Sequence, residues 1–189
     1  MSAFDGCVSL YGEAKLAIER AALAAGALVL RPGLIHGENA GAMFGRLIAQ
    51  VRSAAFVPLV GGGAVLHLVH ERDLSDFIAR FCAGEIATPN FPLTAAHERG
   101  WTFREILAAL AAAQGRSPTF VPVPWRLVWL ALKCAEFCRV PLAFRSDSLV
   151  SLLNQNPHPD FSANASFGLA CRPFDPAAAL TVPQSPLVE

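Results

Sequence analysis

The sequence predicts an α/β fold: helices covering a parallel sheet of buried strands, joined to a smaller, mostly helical lobe. Three observations predict it. A helix rich in alanine and leucine runs almost directly into the short, wholly apolar segment Ala27 to Leu30. A strand of that kind is buried on both faces of a parallel sheet. Helical and short extended patterns then alternate along the chain, the rhythm of helices covering such a sheet. Finally, 53% of the 189 residues are hydrophobic and 16% charged, which suits a packed core and excludes a disordered chain.

The first helix covers about Leu10 to Ala25, where alanine, leucine, glutamate and lysine recur at helical spacing and Gly26 stops the run. After the apolar strand comes the turn Arg31-Pro32-Gly33. A second helix is expected over Ala42 to Ser53. In VPLVGGGAVLHLVH, two apolar extended runs flank Gly61-Gly62-Gly63, which reads as a hairpin turn. Asp73 is expected to cap a helix reaching about Ala83, with Asp76 also in its first turn, where the helix dipole favours negative charge.

Beyond Pro89 the texture changes. Phe91 to Thr94 reads as a short strand, and Thr102 to Gln114 as a helix whose Thr102 and Glu105 have capping-box spacing. Phe120 to Val123 reads as another short strand. A long helix extends from there to about Arg139, and a further one covers Ser146 to Asn154. The tail after Pro157 is rich in proline and small residues and reads as a surface wrap. These elements suggest two units, residues 1–87 for the sheet-forming part and residues 88–189 for the second lobe and tail.

Composition narrows the function classes. A net charge of +0 offers neither a basic nucleic-acid groove nor a polybasic membrane patch. Five scattered cysteines argue against a disulfide framework and for a reducing, cytoplasmic compartment. Cys134 and Cys138 lie one helical turn apart and could form half a metal site. Nothing nearby completes it, so they read as buried helix residues. The apolar stretch Phe120 to Phe144 carries Arg126, Lys133, Glu136 and Arg139. That pattern predicts an amphipathic helix packed on a core rather than a membrane span. The N-terminus has no secretory signal pattern. Trp101, Trp125 and Trp129 are expected in the core or pocket wall of the second lobe. His67 and His70 are three apart on an extended segment, point to opposite faces and read as structural.

The chemistry starts at Tyr11 and Lys15, four apart and therefore on one helical face. A free phenol titrates near 10, and a neighbouring ammonium favours the phenolate. Such a pair can move a proton to or from a substrate hydroxyl while another group takes a hydride.

The order of elements downstream strengthens this reading. A helix with Y-G-x-x-K leads to an apolar strand, Arg31-Pro32-Gly33, Gly37, a helix, a glycine turn and V-H-x-x-D-L at 69–74. In this order the chain resembles the extended short-chain dehydrogenase/reductase superfamily, the NAD-dependent epimerase/dehydratase family, most closely over residues 1–115. The resemblance implies the C-terminal part of a Rossmann-like doubly wound parallel sheet and an NAD or NADP cofactor. It also implies Tyr11 as catalytic acid/base and Lys15 as its partner on the nicotinamide ribose. The segment Arg31 to Gly37 would pass beside the nicotinamide, giving Pro32, Gly33 and Leu34 as cofactor-binding candidates and His36 as a substrate-binding candidate. Asp73 would start a helix joining the two lobes. A small-molecule substrate with a hydroxyl or carbonyl carbon is implied, a nucleotide sugar among the candidates.

The departures from the family pattern are informative. Its strand-linked G-x-x-G-x-x-G fingerprint and its acidic ribose ligand are absent, and Gly61 to Gly63 does not replace the fingerprint. The family serine or threonine lies a dozen or more residues before the tyrosine. Here Ser2 and Ser9 are both too close for assignment. Near Leu66, where many sugar-nucleotide members carry a pyrophosphate-binding arginine, there is none. The sequence therefore reads as a chain starting midway through the fold, inactive alone and sticky at its unpaired edge. A homodimer or a missing N-terminal half would complete it. The alternative is a non-catalytic nucleotide-sensing or assembly subunit, or an inactive fragment. A metal or redox protein built on Cys134 and Cys138 is the third reading.

Overall fold

The structure is a computed structural model and describes residues 1–38, 42–141 and 144–180. Its elements in chain order are α1 (Leu10–Ala24), β1 (Leu30–Pro32), β2 (Leu34–His36), α2 (Ala42–Ser53), β3 (Phe56–Leu59), β4 (Val65–His70) and α3 (Glu71–Cys82). Beyond these come β5 (Leu93–Ala95), β6 (Gly100–Thr102), α4 (Phe103–Ala113), β7 (Thr119–Pro122), α5 (Trp125–Phe137) and α6 (Ser146–Leu153). The fold is mixed α/β with parallel pairing, as the alternation predicted.

Strands β1 and β2 are two halves of one extended segment that changes partner at Gly33. Before it, Leu30 to Pro32 pair in parallel with Leu93 to Ala95 of β5. After it, Leu34 to His36 pair in parallel with Leu68 to His70 of β4. The fork brings backbones so close that a Cβ on Gly33 would lie 2.2 Å from the His67 carbonyl oxygen. Glycine is needed here for close approach rather than for an unusual backbone angle. Strand β4 also pairs antiparallel with β6, and β3 pairs in parallel with β7.

The main core lies between α2, α4, β3 and β4. Phe44, Leu47 and Val51 form one face of α2 and meet Ile106, Leu107 and Leu110 of α4 over Val57, Leu66 and Leu68. Each such side chain contributes about 1.5–3 kcal/mol when fully buried. Helix α4 begins with the expected capping box: Thr102 Oγ1 accepts from the Glu105 amide at 3.2 Å, and the Thr102 amide donates to Glu105 at 2.7 Å. A second core joins Phe77 of α3 to Leu93, Ala95 and Leu169. Trp101 packs edge-on against Phe174, with ring centroids 5.5 Å apart.

Several expectations need correction. The first strand is Leu30–Pro32 rather than Ala27 to Leu30; Ala27 is exposed and Leu28 to Leu30 are half-buried. The reason is that β1 pairs on one side only, with β5. The glycines at 61–63 do form a turn, Ala64 donating to the Gly61 carbonyl at 2.9 Å. It is not a hairpin, because β3 and β4 flank it in different sheets. Helix α3 is capped by His70, whose Nδ1 accepts from the Arg72 amide, and not by Asp73. Asp73 instead receives the Arg172 amide and guanidinium, each at 2.8 Å, pinning the C-terminal segment to α3. Cys134, Cys138 and Trp125 are exposed rather than buried, and α5 contains no buried residue at all. Strand β6 has no counterpart in the sequence-based expectation. Residues 158–180 run as irregular chain with two short 3-10 turns, while 181–189 of the expected wrap lie outside the described residues.

Candidate active site

The site begins with how α1 is held at its N-terminus. Ser9 caps the helix, its Oγ accepting from the Gly12 amide at 3.0 Å. The Asp147 carboxylate, from α6, accepts from the Leu10 and Tyr11 amides, each at 3.0 Å. Two more of the free amide groups that every helix start presents are thereby satisfied by a negative charge, where the dipole favours one. Gly12 allows the chain start to pack close, since a Cβ there would sit 2.5 Å from the Ser2 carbonyl oxygen.

From that anchored end, Tyr11, Lys15 and Glu19 project along one face at steps of four. The Lys15 ammonium lies 5.5 Å from the Tyr11 ring centroid. Glu19 is buried and takes a two-pronged ion pair from Arg31, with Nε at 2.8 Å and an Nη at 2.6 Å. This fork clamps α1 to β1 and sets the spacing between them. Arg31 thus braces the helix as well as standing at the start of its Arg-Pro-Gly turn.

Between the clamped elements lies a cleft of about 590 Å³. Its walls include Tyr11, Lys15, Pro32, Gly33 and Leu34, so the two proton-transfer candidates and three cofactor candidates share one cavity. Leu66, His67 and Gln155 also border it. The His67 ring meets the His97 carbonyl at 3.1 Å. Nearby serines are engaged elsewhere: Ser9 with Gly12, and Ser2 with Ser151 at 2.6 Å and Gln155 at 3.2 Å. A second cavity, near Arg52 and Arg116, has none of the candidate residues in its lining.

His36 does not line the cleft. Its ring is 2% exposed, stacked edge-on against His70 and Phe174 at 5.1 and 5.0 Å, and neither ring nitrogen has a hydrogen-bond partner among the described residues. Burial, and then the neighbouring His70, pushes its pKa down to about 4. It is held neutral under an aromatic lid.

Glu19 and Asp147 are absent from the candidates that sequence reasoning supplies. Glu19 has a local signal, a carboxylate on the same face as Tyr11 and Lys15. Asp147 has none, because its partners lie 136 and 137 residues away.

No protein-family model matches the sequence, and no curated protein matches it. Solved structures do match. Gox2253 aligns with a TM-score of 0.59 at 14% identity, covering 92% of this chain and 55% of its own. Human epimerase family protein SDR39U1 (isoform 2) with NADPH aligns with a TM-score of 0.58 at 21% identity, covering 81% and 46%. UDP-glucose 4-epimerase from Bifidobacterium longum, in complex with NAD+ and UDP, aligns with a TM-score of 0.54 at 13% identity, covering 90% and 50%. The chain shares their fold. It spans about half the length of these three proteins.

Proposed function

We propose that the cleft between α1 and β1 receives the nicotinamide–ribose end of NAD or NADP and carries out proton transfer at a hydroxyl or carbonyl carbon. The observation that carries this reading is the convergence of Tyr11, Lys15, Pro32, Gly33 and Leu34 on one cavity. The cleft mixes a phenol, an ammonium and apolar walls, which suits a ring and a ribose. Among the described residues no glycine-rich turn facing a helix N-terminus borders it, so it does not suit the pyrophosphate.

When bound, the nicotinamide supplies hydride exchange. The chain's own residues handle the rest. Tyr11 exchanges a proton with the substrate oxygen. Lys15 holds the ribose hydroxyls. The Glu19–Arg31 clamp and the Asp147 cap fix the helix that carries both. The outcome is epimerisation, dehydration or oxidoreduction, on a nucleotide sugar or another small hydroxyl compound. The absence of an arginine at Leu66 weighs toward the latter.

The phosphate-binding half is proposed to come from a segment or chain outside these 189 residues, or from a second copy. The one-sided pairing of β1 and the exposure of Leu10 and Ile18 on α1 support this. On this reading the chain is inactive alone. On the same reading residues 1–87 are the C-terminal part of the cofactor-binding domain, 88–189 the substrate lobe and tail, and the compartment is cytoplasmic. A second reading, a nucleotide-sensing or assembly subunit, is favoured by one observation: Ser2 and Ser9 are both committed to other partners.

Fluorescence titration with NADH and NADPH tests the proposal. Lys15→Met is expected to weaken binding about tenfold, while Tyr11→Phe binds normally but loses turnover in any completed assembly. Equal affinity in wild type and Lys15→Met would defeat the reading. Equal turnover in wild type and Tyr11→Phe would remove Tyr11 from the mechanism, and cofactor binding with no turnover in the wild-type assembly would favour the non-catalytic one.

A further inference from the structure

Helix α5 is built the wrong way round for a core helix. Its inner residues Val128, Leu132 and Ala135 are only half-buried. Its outward face carries Leu127, Leu130, Cys134 and Phe137, spaced by three and four and therefore one continuous stripe. Leu127 is 63%, Leu130 54% and Phe137 90% exposed. Val140, also exposed, extends the apolar patch beyond the helix end.

The charge along this patch has one sign. Arg126 and Lys133 each lie four residues before a stripe residue, Leu130 and Phe137, and so border the stripe along one edge. Arg139 and Arg145 lie beyond the helix. The one acid between residues 121 and 145, Glu136, points inward. It accepts the Ser146 amide at 2.8 Å and the Ser146 hydroxyl at 2.9 Å. Lys133 and Arg145 lie 3.6 and 3.7 Å from it, while Arg126 and Arg139 enter no ion pair among the described residues. Arg139 ends the helix at φ 57°, a left-handed conformation that glycine takes without strain. An exposed cation stands where the backbone favours glycine.

We propose that α5 lies on an anionic membrane surface, with the stripe Leu127–Leu130–Phe137 entering the headgroup boundary and Arg126 and Arg139 meeting lipid phosphates. Tryptophan, phenylalanine and leucine beside lysine and arginine are the composition of helices that lie in that interface. No helix among the described residues is long and apolar enough to cross a membrane; lying on the surface makes no such demand. A second copy fits poorly. Across a two-fold axis, antiparallel α5 helices would set the Arg126–Lys133 edge of one against the same edge of the other.

The test is flotation of the chain with vesicles of phosphatidylcholine alone, or with about one third phosphatidylglycerol. The chain is expected to float with the anionic vesicles only, to lose binding as salt rises, and to show a blue shift of tryptophan emission. Leu130→Glu, with an unchanged circular dichroism spectrum, should abolish binding, and Arg126→Gln should weaken it about fivefold. Leu10→Glu, on the exposed face of α1, should leave it unchanged. No binding to anionic vesicles, retained binding in Leu130→Glu, or loss in Leu10→Glu overturns the proposal. So does a lipid-free dimer by light scattering that Leu130→Glu breaks, which would assign the face to a second copy.

Discussion

The Asp147 carboxylate holds the Tyr11 backbone amide at 3.0 Å across 136 residues of chain. One oxygen takes Tyr11 and the other takes Leu10, so a single side chain of α6 serves as an anion at the start of α1. The tyrosine is thus placed by α6 as well as by its own helix.

Replacing Asp147 by alanine should cost about 1–2 kcal/mol, the worth of a helix cap with a favourable dipole contact. The thermal midpoint should fall by about 2–4 °C per kcal/mol for a chain of this size. Hydrogen exchange should show the loss concentrated in the first turn of α1. Asp147→Asn keeps the acceptor but not the charge, and should lose less.

The Glu19–Arg31 pair is largely buried, with side chains 10% and 22% exposed. Removing one partner leaves the other charge without an ion-pair partner. Glu19→Gln or Arg31→Met alone should cost about 2–4 kcal/mol. The double variant Glu19→Gln/Arg31→Met should cost less than the sum. Urea unfolding of all three checks the coupling.

Local spacing decides which parts of the fold are legible in sequence. Helices α2 and α4 can be placed closely because Phe44, Leu47 and Val51 repeat at helical spacing and Thr102 with Glu105 marks a start. The Tyr11–Lys15 pair is legible for the same reason, a fixed local spacing. Strands of three residues, such as β1 and β6, carry no readable period, and their partners are chosen by distant chain. Helix α5 misleads because its apolar stripe looks the same whether it faces a core or solvent. Asp147 and Arg172 act on residues about a hundred or more positions away, which no local pattern announces.

Gly33→Ala should destabilise by about 3 kcal/mol, the upper range for overpacking, because its Cβ would meet the His67 backbone. Gly45→Ala is the matched control. It lies in α2, where an added Cβ would meet nothing within 4 Å, and should stabilise by about 0.5–1 kcal/mol. Melting curves of the two variants should move in opposite directions.

His36 gives stability a pH dependence. Its ring titrates near 6.5 when free and is pushed down to about 4 in the fold. As pH falls below about 6.5, the unfolded chain takes up the proton first. Stability is therefore full above that value and is lost progressively down to about pH 4, by up to about 3 kcal/mol. His36→Leu, which removes the titration, should flatten the slope between pH 4.5 and 7. Identical slopes in urea midpoints would contradict this.

Among the cysteines, Cys171 is half-buried and its thiol is pushed up to about 11, first by burial and then by Asp73. Cys82, Cys134 and Cys138 are exposed. Mass spectrometry after brief alkylation at neutral pH should find those three modified and Cys171 spared, because the thiolate is the reactive form.

The most direct test of the central claim uses a ligand no larger than the cleft. Reduced nicotinamide riboside, added to the isotope-labelled chain, probes the nicotinamide–ribose end alone. Binding near the millimolar range is expected for so small a molecule. The account predicts shifted resonances at Tyr11, Lys15, Gly33 and Leu34, with none at Gln114 or Arg116. No shifts at saturating ligand, or shifts confined to residues outside the cleft, would contradict it.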